Sequence, residues 1–95
     1  MIAIVAKNPI KPECAEAFKA AASKLAEASR KEEGCLFYAL FEDVKQPNSF
    51  TFIEQWKDQE AISKHNASPH FVSIVPTFSR YLSGESEVSI YKEAL

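Results

Sequence analysis

The segment from Phe50 to Phe71, FTFIEQWKDQEAISKHNASPHF, constrains the fold more than any other part of the chain. As far as Trp56 its residues alternate between two faces, which is the period of a β-strand. On one of these faces a carboxylate, Glu54, lies in a row with three aromatic rings. Asp58 then predicts the start of a helix, because its side chain can accept hydrogen bonds from the free N–H groups of a first helical turn.

The same segment contains the only two histidines of the chain. Asn66 and Ala67 are predicted to end the first helix. Ser68 and Pro69 are predicted to begin another, since proline at the first helical position gives up an N–H that would have no partner there. We therefore expect Glu54, Trp56, His65 and His70 to lie near one another.

The overall composition is that of an ordinary globular protein, with 46% hydrophobic and 25% charged residues. A length of 95 residues predicts one domain over 1–95. No apolar run approaches the roughly 20 residues that span a bilayer, and the N-terminus resembles no secretion signal, so we expect a cytoplasmic protein without a membrane partner. A net charge of −2 makes nucleic acid an unsuitable partner. Cys14 and Cys35 form no CxxC pair and are interpreted as buried apolar residues or free thiols.

The order of predicted elements is strand, helix, strand, strand, helix, strand, which is the split βαβ pattern of an α+β, ferredoxin-like antiparallel sheet. Right-handed connections place the first and third strands at the centre and the helices on one face. Gly34 is expected to take the left-handed conformation that often follows a helix. The predicted ranges are Ile2 to Asn8, Pro12 to about Lys31, Cys35 to Asp43, Phe50 to Trp56, Asp58 to Asn66, Pro69 to about Leu82 with a break at Pro76, and Glu85 to Tyr91.

Several of these strands are apolar on both faces, although the helices can cover only one face of the sheet. An exposed apolar face of that size commonly marks an association surface. The pattern predicts a homodimer packed sheet against sheet.

The two histidines have more than one interpretation. His65 could be a general base, because imidazole gains and loses a proton near neutral pH, or it could interact with the negative end of its helix. His70 could accept a proton, or it could be a surface residue. The two are five residues apart across a helix break, and no nearby Cys or Asp completes a tetrahedral set, so we expect no metal.

Glu54 and Trp56 are the other candidates for function. A carboxylate among aromatics must be paired, hydrogen-bonded or protonated if it is buried, so Glu54 either orients a partner or faces solvent at the sheet edge. Trp56 is a core residue or the wall of a pocket for a flat aromatic ligand. Nothing resembles a dinucleotide fingerprint or a phosphate-binding loop, which predicts that no flavin or nicotinamide cofactor is used.

Most of the chain resembles the antibiotic biosynthesis monooxygenase family of small dimeric α/β barrels. The likeness is carried by Ser29-Arg30, Glu33-Gly34-Cys35, Tyr38, Phe50, Glu54-Gln55-Trp56, Asp58 and the run from His65 to Phe71. The resemblance implies a homodimeric monooxygenase that needs no cofactor and oxidises a small aromatic or quinol-like substrate with O₂.

The resemblance also suggests site residues. His65 is expected to act as the base, Trp56 as a wall and donor, and Asn8 as a donor to a developing oxyanion. The substrate pocket is expected to be lined by Phe52, Glu54, Ile62, His70, Phe71, Val75 and Phe78.

Three other functions occur within the resemblance or remain compatible with the residues. Some members isomerise a small phosphorylated signal, for which Arg30, Lys64 and Arg80 are the available cations. Others degrade haem with an asparagine, a tryptophan and a helical histidine; Asn8 and Trp56 fit, but Ile74 or Val75 stands at the third position. A dimer that binds a ligand without reacting is the third alternative.

Overall fold

The computed structural model describes all 95 residues and contains the predicted elements in the predicted order. These elements are β1 (Ile2–Pro9), a 3₁₀ turn (Pro12–Cys14), α1 (Ala15–Arg30), β2 (Cys35–Glu42), β3 (Ser49–Trp56), α2 (Gln59–Asn66), α3 (Pro69–Ile74), a second 3₁₀ helix (Val75–Tyr81) and β4 (Glu87–Lys92). The break at Pro76 is confirmed, because α3 gives way to 3₁₀ geometry at Val75.

The four strands form one antiparallel sheet in the order β2-β3-β1-β4, so the prediction of β1 and β3 at the centre is confirmed. This is the ferredoxin-like α+β fold. Glu54 pairs with Ile4 on one side and Tyr38 on the other. The carboxylate therefore stands in the middle of the sheet.

Side-chain caps begin both helices of the central segment. The Asp58 carboxylate accepts from the Ala61 N–H at 2.9 Å, and the Ser68 hydroxyl accepts from the Phe71 N–H at 3.2 Å. Both caps were predicted. Together they fix where α2 and α3 begin, and hence where the two histidines lie.

The expectation for Gly34 is wrong. Neither glycine has a positive φ angle. Gly34 is required for a different reason: a Cβ at this position would overlap the Cβ of Ala61 in α2. The Lys57 N–H also donates to the Gly34 carbonyl at 2.9 Å. Absence of a side chain thus lets α2 pack closely on the turn that leads into β2.

The hydrophobic core lies between the helices and one face of the sheet. Phe18 of α1 is fully buried against Phe50, Phe52 and Phe78. Trp56 is also fully buried, at the end of β3. None of the helices has the length and apolar character that a bilayer crossing requires.

The opposite face of the sheet carries exposed aromatic side chains. Phe37 and Phe41 stack on each other with ring centroids 6.5 Å apart, and Phe41 and Tyr91 are about half exposed. On the helix side, Val88 and Ile90 of β4 are each 63% exposed, because no helix reaches this edge strand. The single chain therefore leaves apolar surface uncovered in two places.

Candidate active site

A cavity of about 450 Å³ lies between the helix-covered face of the sheet and the elements from α2 to the second 3₁₀ helix. Its volume is within the range of pockets for small organic ligands. Eight of the residues proposed from the sequence line it: Asn8, Phe52, Glu54, Ile62, His65, Phe71, Val75 and Phe78. Most of the wall is apolar, with the polar groups of Asn8, Glu54 and His65 converging on it.

Two proposed residues do not line the cavity. Trp56 is fully buried behind Glu54 and His65, so it cannot form a wall against a ligand. His70 points away from the cavity and binds Glu32. Trp56 therefore contacts the cavity-lining residues Glu54 and His65 from behind, and His70 contacts Glu32.

His65 is the most constrained polar side chain of the cavity. It is 2% exposed, its ring centroid lies 4.4 Å from that of Trp56, and the edge of Phe71 is on another side. Its Nδ1 lies 2.6 Å from the Glu32 carboxylate. The imidazole is thus held by packing and by a hydrogen bond, and it does not interact with the carbonyls at the end of α2.

Protonation of His65 follows from these contacts. An ionised carboxylate can only accept hydrogen bonds, so Nδ1 carries the proton that is donated to Glu32. The other ring nitrogen, Nε2, has no protein partner and is the atom left for a ligand. Burial lowers the pKa of His65, and this outweighs the opposing effect of the hydrogen bond and charge of Glu32. A neutral imidazole with a free acceptor is what a general base requires.

Glu32 is the functional candidate that sequence reasoning missed. One of its oxygens accepts from both His65 Nδ1, at 2.6 Å, and His70 Nε2, at 2.8 Å. The residue follows α1, and the sequence around it indicates no role in a site. His65 comes 33 positions later, and no local pattern connects the two. Only the packing of α2 on the turn at Gly34 brings them together.

Glu54 was interpreted either as orienting a partner or as facing solvent at the sheet edge, and its buried position on a central strand excludes the second interpretation. The side chain is buried, and its carboxylate accepts from the Trp56 indole N–H at 2.9 Å. Burial raises the pKa of Glu54 to about 7; the Trp56 hydrogen bond opposes this rise and the charge of Glu32 adds to it. A carboxyl group that changes protonation near neutral pH in a cavity wall is a second candidate for proton transfer.

The remaining polar candidates are Asn8 and the cations that were proposed for an isomerase. The Asn8 amide donates one hydrogen to the Ala6 carbonyl at 3.1 Å, which leaves its second N–H for a ligand. Arg30 donates to the Tyr38 carbonyl, and Lys64 pairs with Glu60. No Lys or Arg lines the cavity.

One group of side chains has the composition of a metal site. The ligating atoms of Glu32, His65 and His70 all lie within 4.8 Å of one another. The expectation of no metal considered only residues near the histidines in sequence, and Glu32 is not among them.

Comparisons with known proteins agree with the fold and the resemblance. A family model described as antibiotic biosynthesis monooxygenase matches residues 1–77. A Bacillus subtilis protein named "Putative monooxygenase YcnE" is 40% identical over 88 residues, which cover 93% of each chain. "Uncharacterized protein sll1783" of Synechocystis is 37% identical over 92 residues, or 96% of this chain, but the chain spans only 63% of that relative's length.

Solved structures show the same architecture. A conserved protein from Methanosarcina mazei superposes with a TM-score of 0.95 at 38% identity, covering 98% of this chain and 92% of that one. A crystal structure of an antibiotic biosynthesis monooxygenase gives a TM-score of 0.93 at 34% identity, with both chains fully covered. The chain therefore belongs to the antibiotic biosynthesis monooxygenase family.

Proposed function

We propose that the protein is a cofactor-independent monooxygenase that oxidises a small electron-rich phenol or quinol with O₂, and that His65 is its base. The observation that carries the proposal is the free Nε2 of His65 in the wall of an apolar cavity, with Glu32 bound to the other ring nitrogen at 2.6 Å. The monooxygenase names of the family model and of the Bacillus relative support the reaction class.

The chemistry needs only a base, a dry cavity and a donor to the developing oxyanion. Nε2 of His65 removes a proton from the substrate, and the resulting anion passes one electron to O₂. The two radicals then combine to form a C–O bond. Protonation gives a hydroperoxide, whose O–O bond breaks as the carbon becomes a carbonyl. For a phenol that reacts at a ring C–H the balance is C₆H₅OH + O₂ → C₆H₄O₂ (a quinone) + H₂O, so the substrate supplies all the electrons.

The protein contributes positioning and electrostatics. Glu32 orients His65 and stabilises the imidazolium that forms, as the carboxylate does in a catalytic triad. The second N–H of Asn8 is available to the oxyanion. The apolar wall excludes water, which strengthens these interactions.

The cavity favours an aromatic substrate over a phosphorylated sugar. A phosphate needs cations or several N–H donors, whereas no Lys or Arg lines this cavity. Of the three cations considered for the isomerase, Arg30 and Lys64 are already engaged by Tyr38 and Glu60.

We also propose that the exposed sheet face forms a homodimer. Phe37, Phe41 and Tyr91 would be covered by the same face of a second copy, as expected for an isologous interface.

The test is O₂ consumption against a panel of quinols, phenols and sugar phosphates. For any substrate that is turned over, His65→Gln should lower kcat by about 10²–10⁴, the range for a lost general base. Glu32→Gln should fall in the same range, because an amide can donate to Nδ1 and stabilise the wrong tautomer. Glu33→Gln removes an exposed carboxylate one position away and is the matched control, with unchanged turnover.

The pH dependence adds a second criterion. Turnover should be lost as pH falls through a pKa below 6.5, the ordinary value for histidine, because burial lowers the pKa of His65. Equal turnover by His65→Gln and the native protein on every substrate would reject the role of His65. Binding of aromatic ligands without O₂ consumption would instead favour the non-catalytic dimer.

A further inference from the structure

The cluster of Glu32, His65 and His70 borders the cavity only through His65, and base catalysis does not require its second histidine. One Glu32 oxygen lies 2.6 Å from His65 Nδ1 and 2.8 Å from His70 Nε2. His70 does not reach the cavity. A second histidine that shares the carboxylate is therefore unexplained by the proposed reaction.

We propose that Glu32, His65 and His70 form a binding site for a divalent late transition metal of the Zn²⁺ type. Two imidazole nitrogens and one carboxylate oxygen are a common protein ligand set for such ions, with water at the fourth position. Ca²⁺ and Mg²⁺ prefer oxygen ligands and are not expected here.

The donor atoms must shift by about 0.5–1.5 Å relative to one another to accept an ion. Zn²⁺ bonds of about 2.0–2.1 Å at tetrahedral angles place the ligand atoms about 3.3 Å apart. Two of the present separations are 2.6 and 2.8 Å, and the third is no more than 4.8 Å. The Glu32 oxygen must therefore retreat by about 0.7 Å from His65 Nδ1 and about 0.5 Å from His70 Nε2, and the two nitrogens must approach each other by at most about 1.5 Å. The Glu32 side chain is 16% exposed and follows the end of α1, so it is not locked in the core.

The backbone that presents the two histidines is well fixed. The Ser68 hydroxyl donates to the His65 carbonyl at 2.6 Å and accepts from the Phe71 N–H. Pro69 begins α3 directly before His70. The backbone of both histidines is thus held at the junction of α2 and α3, and the partly exposed side chains of His70 and Glu32 are the ligands that can adjust.

Metal binding also requires the histidine protons to move. Each imidazole donates to Glu32 from the nitrogen that would bind the ion, so that proton must move to the other ring nitrogen. For His65 the proton then lies on Nε2, the nitrogen available to a ligand. This atom changes from an acceptor to a donor, and an imidazole in that state cannot act as a base. This consequence rests on the proposed function; metal binding itself does not.

The test is isothermal titration of tag-free protein with ZnCl₂, together with visible spectroscopy of the Co²⁺ form and the thermal midpoint. We expect one ion per chain, a raised midpoint, and the visible bands of tetrahedral Co²⁺. Glu32→Gln and His70→Gln should each weaken binding by about 10²-fold or more. Glu33→Gln and the double variant Cys14→Ser/Cys35→Ser should bind as the native protein does.

The proposal is overturned if the native protein shows no saturable binding, if His70→Gln binds as tightly as the native protein, or if the cysteine variant alone loses the ion. Because His70 is partly exposed, a folded His70→Gln protein is expected, and circular dichroism checks this. Zn²⁺ binding without turnover of any substrate would leave the metal site standing and reject the monooxygenase. If the protein turns over a substrate, binds no Zn²⁺ and is unaffected by excess Zn²⁺, the monooxygenase is supported and the metal site is rejected.

Discussion

The free energy of unfolding of Glu54→Gln should exceed that of the native protein by more at alkaline pH than at acidic pH. Burial raises the pKa of Glu54 from its ordinary value of 4.5 to about 7. Below pH 4.5 the folded and unfolded states both hold the proton, and the group adds no pH dependence. Between pH 4.5 and 7 only the unfolded chain loses it, so stability falls as pH rises.

The magnitude follows from that difference of about 2.5. At about 1.4 kcal/mol per pKa unit, ionised Glu54 costs the folded state about 3 kcal/mol at pH 8.5, but less than about 1 kcal/mol at pH 5. The amide of glutamine can still accept from the Trp56 N–H, whose bond to Glu54 is 2.9 Å. Any cost of burying the amide is the same at both pH values. The change with pH in the stability difference between the two proteins therefore reports only the titration of Glu54.

The assay is urea unfolding of both proteins at pH 5 and pH 8.5, at one fixed protein concentration. The stability advantage of Glu54→Gln should grow by about 2–3 kcal/mol between the two conditions. Glu60→Gln, at an exposed position of α2, is the control and should show no such growth. An advantage that stays constant within about 0.5 kcal/mol would refute the reasoning, because Glu54 would then titrate alike in both states.

Three further variants test other parts of the structure. Gly34→Ala should cost about 1–3 kcal/mol through overlap with Ala61, and Gly34→Ala/Ala61→Gly should recover part of the loss in urea unfolding; additive costs would contradict the contact. Trp56→Phe removes a hydrogen bond that lowers the pKa of Glu54, so carbon NMR of the Glu54 carboxyl should show a pKa above that of the native protein, and an unchanged value would contradict this. In sedimentation velocity Phe41→Lys should weaken the proposed dimer while Val44→Lys, at a fully exposed turn position, should not; equal effects would exclude the sheet face as the interface.

Local chemistry explains why so much of the fold could be predicted. The alternation around Glu54, the caps at Asp58 and Ser68, and the helix break at Pro76 are each decided by residues within a few positions of one another. The family resemblance then suggested eight of the 19 residues that line the cavity, including Asn8 of β1 and Phe78 of the second 3₁₀ helix.

The features that the sequence did not predict depend on contacts between residues that are far apart in the chain. Gly34 follows a helix, which favours a left-handed conformation, but its close contact with Ala61 is a property of how α2 packs. Glu32 became part of the site through the same packing. Trp56 was expected at a pocket wall, yet the ring is buried and its N–H donates to Glu54.

The central claim is that Glu32 holds His65 with its proton on Nδ1 and leaves Nε2 as a free base. Long-range ¹⁵N–¹H correlation NMR of the histidine rings measures this directly and needs no substrate. At pH 7, in metal-free buffer, the spectrum should show His65 as a neutral imidazole protonated on Nδ1, and Glu32→Gln should alter that tautomer whereas Glu33→Gln should not. Protonation of His65 on Nε2 in the native protein, or on both nitrogens at pH 7, would contradict the account.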